Sequence, residues 1–83
     1  MEIDTVRKRL LIRSWRRGTK ELDLILGKFS SIIVSKFELD ELDLYERFLS
    51  NDDHVIYGWL FGKEESPAIF YNLIKQIQEG MYR

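Results

Sequence analysis

The sequence contains no cysteine and one histidine, and these two absences remove several classes of function. Disulfide scaffolds, cysteine-rich zinc clusters, iron–sulfur sites and thiol catalysis all need cysteine. The lone His54 leaves no pair for a two-histidine metal site, and nothing marks a nucleophile beside it for a catalytic triad. We therefore expect His54 to be a solvated residue near a helix start, and we expect no metal site.

Glycine and proline are also scarce, with five residues and one residue respectively. The glycines stand singly, so neither a GxGxxG dinucleotide loop nor a Walker phosphate loop occurs. Paired carboxylates would need an enclosed cleft for acid–base chemistry, which a chain this small rarely forms. We expect these acids to be solvated or to cap helices, and we expect the chain not to be an enzyme. The pairs are Asp40 with Asp43 and Asp52 with Asp53.

Long apolar runs are absent too. None approaches the roughly 18 residues that a membrane span needs. Residues 1–4 carry two acids where a targeting peptide would carry bases. The sequence therefore predicts a cytoplasmic protein without direct membrane insertion.

What the chain does contain is enough apolar material for one core, since 45% of its 83 residues are hydrophobic and 13% are aromatic. Amphipathic stretches between helix start and stop signals predict an all-α fold, a compact five-helix bundle. We expect a monomer and a single small domain over residues 1–83, with residues 80–83 as a loose tail. The aromatic residues expected in the core are Phe29, Tyr45, Phe48, Trp59 and Phe70.

Local signals predict where the helices begin and end. The β-branched run at residues 32–34 favours a strand by propensity, but it has no second strand to pair with, so we expect it to be helical. The fifth helix should bury Ile69, Phe70, Leu73, Ile74 and Ile77. In chain order, the expected caps and stops are Asp4 and Gly18, then Thr19, then Asn51, then Asp52 or Asp53 and Gly62, and finally Ser66 with Pro67 and Gly80.

Charge is nearly balanced overall, at −1, but it is segregated along the chain. Residues 7–20 hold seven bases and no acid, whereas residues 38–53 hold seven acids and one base. In the basic stretch, Arg9, Arg13 and Arg16 recur at helical spacing and predict a basic helix face. This pattern fits a protein partner. A nucleic-acid-binding domain, with Trp15 stacking on a base, and a generic adaptor are the alternatives; the near-neutral charge weighs against nucleic acid.

Residues 15–23 form the segment richest in charge. A tight turn at Gly18 would present Arg17 and Glu21 side by side on a convex tip, and Gly18 would let another backbone approach closely. The plain alternative is that Gly18 only ends a helix, Glu21 lies at the positive end of the next one, and the arginines are solvated.

This segment resembles the signature of the small FAD assembly factors of succinate dehydrogenase, Arg-Gly-x-x-Glu within a longer Arg-Arg-Gly-x-x-Glu-Leu-Asp. The likeness also covers the basic first helix, the acidic third helix, Asp52-Asp53 and Tyr57-x-Trp59. Lys28 and the run at residues 32–34 are not features of the family. The matching signature positions are Arg16, Arg17, Gly18, Glu21, Leu22 and Asp23.

The resemblance implies an assembly factor that binds the flavoprotein subunit of succinate dehydrogenase, or in some bacteria of fumarate reductase, and promotes covalent attachment of FAD. The partner would supply the reacting histidine, and the factor itself would hold no cofactor stably. The residues expected to contact the partner are Arg17, Gly18, Glu21, Arg16 and Asp23, with Arg13 and Arg9 extending the contact along the first helix.

Overall fold

The computed structural model describes residues 2–81, and within them it forms helices and no strand, which confirms the all-α prediction. Short turns of 3-10 helix precede α3 and α5, at Val34–Lys36 and Ala68–Phe70. The five α-helices are α1 (Ile3–Trp15), α2 (Lys20–Ile32), α3 (Leu39–Leu49), α4 (Asp53–Leu60) and α5 (Tyr71–Met81).

The helices pack around an aromatic core, with α1 against α2 and α3, and α5 against α2 and α4. All five aromatic residues expected in the core are buried. Phe48 lies at their centre, with ring centroids 5.6 Å from Phe70, 5.9 Å from Trp59 and 6.4 Å from Tyr45. The pair with Tyr45 is stacked, the pair with Trp59 tilted and the pair with Phe70 edge-on. Offset-stacked and edge-on ring pairs add to the free energy of burial, because ring edges are electropositive and ring faces electronegative.

One buried polar chain crosses this core. Tyr45 is fully buried, and its hydroxyl lies 2.6 Å from Oγ of Ser14. Ser14 donates its own proton to the Leu10 carbonyl at 2.7 Å, so the Tyr45 hydroxyl is the donor to Ser14. Each of the two hydroxyls thereby has a partner in this link between α3 and α1.

Several helix boundaries were predicted correctly, because they depend on local chemistry. Thr19 caps α2 by accepting a hydrogen bond from the Leu22 amide at 3.3 Å. Gly62, just past α4, has a φ of +72°, which glycine adopts at little cost. The run at residues 32–34 forms the end of α2 and the start of a 3-10 turn rather than a strand.

The expected start of α1 was wrong. The helix begins at Ile3, so Asp4 lies within its first turn and pairs with Arg7 at 3.2 Å instead of capping. The helix also ends at Trp15, earlier than the expected Gly18. The sequence analysis did not identify the cap of α3, where Glu38 and Glu41 form a reciprocal capping box.

Three expectations about the fifth helix also need correction. Pro67 has an extended ψ of 146° and precedes the 3-10 turn, so Ser66 is not the cap and Pro67 is not the first helical residue. Ile69 lies in that turn and is 58% exposed, because the tighter 3-10 winding rotates it away from the core. Helix α5 continues through Gly80 to Met81, so Gly80 is no stop and residues 80 and 81 are not part of a loose tail. The rest of the expected tail, residues 82 and 83, lies outside the described residues.

The indole ring of Trp15, at the end of α1, packs directly on the backbone of α2 at Gly27. A Cβ atom at position 27 would overlap the ring. This close approach explains a glycine in the middle of a helix, where it otherwise costs about 1 kcal/mol relative to alanine.

We therefore expect Gly27→Ala to destabilise the fold by about 1–3 kcal/mol, although alanine is the better helix former, because the indole must move away from α2. The matched control is Gly80→Ala, where a Cβ meets no atom within 4 Å, and this change should stabilise the fold slightly. Urea unfolding of both variants is the measurement. A stabilised Gly27→Ala variant would contradict the packing described.

A second prediction concerns alkaline pH. Burial raises the pKa of Tyr45 from 10.0 to about 12, and the Ser14 hydrogen bond and the charges of Arg17 and Arg13 offset part of that rise. Tyr45 therefore stays protonated in the folded chain at a pH where it ionises in the unfolded chain. The stability that Tyr45 contributes in this way is fully present below about pH 10 and is lost as pH rises toward 12.

The expected loss from this group is up to about 2–3 kcal/mol. Urea unfolding between about pH 9 and about pH 11.5 should show a steeper fall for the unchanged protein than for Tyr45→Phe. Equal slopes for the two proteins would contradict the assignment.

Candidate partner-binding site at the turn between α1 and α2

The signature turn, residues 16–19, joins α1 to α2 and has an unusual backbone. Gly18 has a φ of +111°, which residues with a side chain rarely adopt. A Cβ at this position would also stand 3.1 Å from Oδ2 of Asp53, at the start of α4. Gly18 is therefore required by an internal contact as well as by the backbone conformation.

Arg17 turns its side chain into the protein, where only 11% of it is exposed. Its Nε donates to Oδ1 of Asp53 at 2.9 Å, Nη1 to the Leu49 carbonyl at 2.7 Å, and Nη2 to the Asn51 carbonyl at 2.8 Å. The two carbonyls lie where α3 ends, so they have no partner within that helix. One guanidinium thus ties the signature turn to the corner between α3 and α4.

Asp23 holds the turn from its other side. Its Oδ1 accepts a hydrogen bond from the backbone amide of Arg17 at 2.6 Å. Asp23 lies in the first turn of α2, where a carboxylate is also favoured by the positive end of the helix dipole. Both the backbone and the side chain of Arg17 are therefore held within the protein.

These contacts correct the expected geometry of the tip. Arg17 does not stand beside Glu21 on a convex surface, because its guanidinium points toward Asp53. The exposed charges of the signature are instead Arg16 and Glu21. Neither makes a hydrogen bond or ion pair through its side chain within residues 2–81. Of the signature, these two are the residues that a partner would meet first.

The basic face of α1 is shared with α3 rather than left free. Arg9 donates to Oε2 of Glu46 at 2.8 Å, and Arg13 lies 3.6 Å from the same oxygen. The sequence analysis did not identify Glu46, because nothing local links an acid on α3 to bases more than thirty positions earlier. Lys8, Arg16 and Lys20 form no ion pair among the described residues.

The remaining candidate residues do not form an enclosed site within residues 2–81. His54 is exposed, as expected, and borders a shallow depression of about 430 Å³ that Thr19, Leu22, Asp53 and Tyr57 also line. Asp43 pairs with Arg47 on the surface at 3.2 Å. Within residues 2–81 no group of three His, Cys, Asp or Glu side chains could hold a metal ion, and no helix is long and apolar enough to cross a membrane.

Asp53 is the functional candidate that sequence reasoning missed. It was considered as a cap, as a solvated acid and as part of the family likeness, but not as the partner of Arg17. Asp53 lies in the first turn of α4, where the helix dipole already favours a carboxylate, so no local signal indicated a distant basic partner.

The described residues form a small all-helical domain in which a charged turn is held by internal hydrogen bonds. The family model described as flavinator of succinate dehydrogenase matches residues 8–81. The chain therefore belongs to this family, which confirms the resemblance seen in the signature.

Individual relatives agree. The FAD assembly factor SdhE of Legionella pneumophila (strain Lens) is 35% identical over 76 residues, covering 92% of this chain and 96% of the relative. Succinate dehydrogenase assembly factor 2, mitochondrial, of Dictyostelium discoideum is 38% identical over 69 residues, covering 83% of this chain and 49% of the relative. The protein of that same name from Aspergillus flavus is 41% identical over 58 residues, 70% of this chain and 20% of the relative. The chain thus spans half or less of these mitochondrial proteins.

We expect Gly18→Ala to destabilise the fold by about 1–3 kcal/mol, because alanine combines an unfavourable φ with a close contact to Asp53. Gly62→Ala is the matched control: its φ is also positive, but a Cβ there meets nothing within 4 Å. Thermal unfolding should show the larger loss for Gly18→Ala. Equal losses would mean that the Asp53 contact contributes nothing.

Proposed function

We propose that this chain is an assembly factor that binds the flavoprotein subunit of succinate dehydrogenase and promotes covalent attachment of FAD to it. The observation that carries the proposal is the complete family signature in a turn whose shape is held internally, with Arg16 and Glu21 exposed at its surface. A relative of nearly the same length bears the name FAD assembly factor.

In this proposal the chain is not the catalyst. The flavoprotein supplies the histidine that becomes bonded to FAD and stabilises the charge that develops on the flavin, and the chain holds no flavin of its own. The factor acts by binding one arrangement of the immature flavoprotein more tightly than the others. A tenfold population shift needs about 1.4 kcal/mol of differential affinity, which one charge-assisted hydrogen bond supplies.

Charge supports a role for the turn in docking. Glu21 offers a carboxylate to a basic group of the client, and Arg16 offers a guanidinium to an acidic one. Lys8 and Lys20, both exposed, add positive potential that speeds encounter with an acidic surface. The flavoprotein of fumarate reductase is a further client in the proposal, and the monomeric state and cytoplasmic location stay predictions from the sequence.

The nucleic-acid alternative loses support from the same contacts. Two of the arginines in the basic stretch pair with Glu46, and Trp15 packs one side of its indole on α2 at Gly27. If the bases of this stretch contacted successive phosphates of a nucleic acid, the carboxylate of Glu46 would face the same polyanion.

The test is to co-express the chain with the flavoprotein subunit encoded in the same genome and to measure flavin fluorescence of the denatured subunit. At limiting factor, Glu21→Ala should lower covalent flavin about tenfold, because one charge-assisted contact is lost. Gly18→Arg should lower it at least as much, because it disrupts the turn. The matched control is Glu79→Ala, which removes the same charge from α5 and should leave covalent flavin unchanged.

Full fluorescence with both turn variants would contradict the assignment of this surface. A separate titration of the purified chain with duplex and single-stranded nucleic acid should show no salt-sensitive binding at micromolar concentration. Such binding would favour the alternative.

A further inference from the structure

We propose that Asp53, which lies on α4 and outside the signature, is a positioning residue for docking: it holds the signature turn in shape through Arg17. Arg17 then acts inside the factor and does not touch the client. This inference rests on the proposed function and specifies which charged residues of the same surface do what.

Both carboxylate oxygens of Asp53 face the signature. Oδ1 accepts the hydrogen bond from Nε of Arg17 at 2.9 Å, and Oδ2 lies 3.1 Å from the place that a Cβ at Gly18 would occupy. Two consecutive signature residues therefore meet the same side chain. The glycine leaves room for the carboxylate, and the arginine neutralises it.

Both terminal nitrogens of Arg17 are also engaged, each through one hydrogen bond. Nη1 and Nη2 each donate to a carbonyl at the end of α3, at 2.7 and 2.8 Å. A client carboxylate would have to replace bonds that are already made in a site that is mostly shielded from water. Breaking them would leave Asp53 without its charged partner and two carbonyls without donors, which offsets what the new contact gains.

The side chain of the neighbouring Arg16 makes no such hydrogen bonds within residues 2–81. The two arginines therefore have different roles in the inference. The Arg17 backbone is held by Asp23 and its side chain by Asp53, so the chain direction on both sides of Gly18 is set. Arg16 directly precedes the residue held by these two bonds, and Glu21 follows it in the signature. Holding the two exposed charges in one arrangement before binding reduces the conformational entropy that docking must remove.

The experiment measures the dissociation constant of the purified chain for the flavin-free flavoprotein subunit by titration calorimetry. Asp53→Ala should weaken binding about tenfold, whereas Asp52→Ala, which removes the same charge one residue away, should change it less than about twofold. Asp53→Asn keeps an oxygen that accepts from Nε of Arg17 and should restore most of the affinity.

Two further variants separate positioning from other effects. Ile77→Val removes one carbon from the buried face of α5, away from the turn, and so lowers stability. This variant should keep its affinity, which would show that a loss with Asp53→Ala is not merely a loss of folded protein. In the double variant Arg17→Met with Asp53→Ala, binding should be no weaker than in Arg17→Met alone, because the two residues act as one unit.

If the affinity losses of Arg17→Met and Asp53→Ala were additive in the double variant, the inference would be overturned and Arg17 would be placed on the client. The same would follow if Asp53→Ala kept its affinity while the unchanged chain bound normally. Loss of affinity in Ile77→Val equal to that in Asp53→Ala would overturn it as well. Absence of binding by the unchanged chain would overturn the proposed function and this inference together. Normal binding that Glu21→Ala leaves unaffected would count against the proposed docking surface alone.

Discussion

The hydrogen bonds of the Arg17 guanidinium are the constraint on which the site depends. They connect the turn after α1 to the corner between α3 and α4, which is more than thirty positions away in sequence. A surface ion pair adds little stability because water screens it and side-chain entropy opposes it. This pair is mostly shielded and forms part of a network, so it holds geometry that an exposed pair would not.

The segregation of charge along the chain acquires a physical meaning in the fold. Helix α1 lies against α3, so bases of the first segment face acids of the second, and Glu46 receives both Arg9 and Arg13. Together with the Arg17–Asp53 pair, three of the seven bases in residues 7–20 thus pair with two of the seven acids in residues 38–53. The charges left over at the signature turn are few, and this makes Arg16 and Glu21 specific candidates rather than members of a broad basic patch.

The core supports the turn by fixing α1 on both of its sides. Trp15, the residue immediately before the signature, packs on α2 at Gly27, and Ser14 beside it receives the hydrogen bond of Tyr45 from α3. Glycine in a helix and a polar pair in a core are both locally unfavourable. Each is compensated by a close or satisfied contact, and both contacts lie next to the residue where the turn begins.

The sequence by itself determined the helical class, the aromatic core, the cap at Thr19 and the signature at Gly18, because periodicity, capping and positive φ depend on residues within one or two turns. It also carried the family resemblance. Only the tertiary structure decided that Arg17 faces inward to Asp53 and that Ile69 faces solvent. Those outcomes depend on which distant backbone carbonyls and carboxylates are brought within about 3 Å, and on how a 3-10 turn is wound against its neighbours, which helical packing sets and local sequence does not.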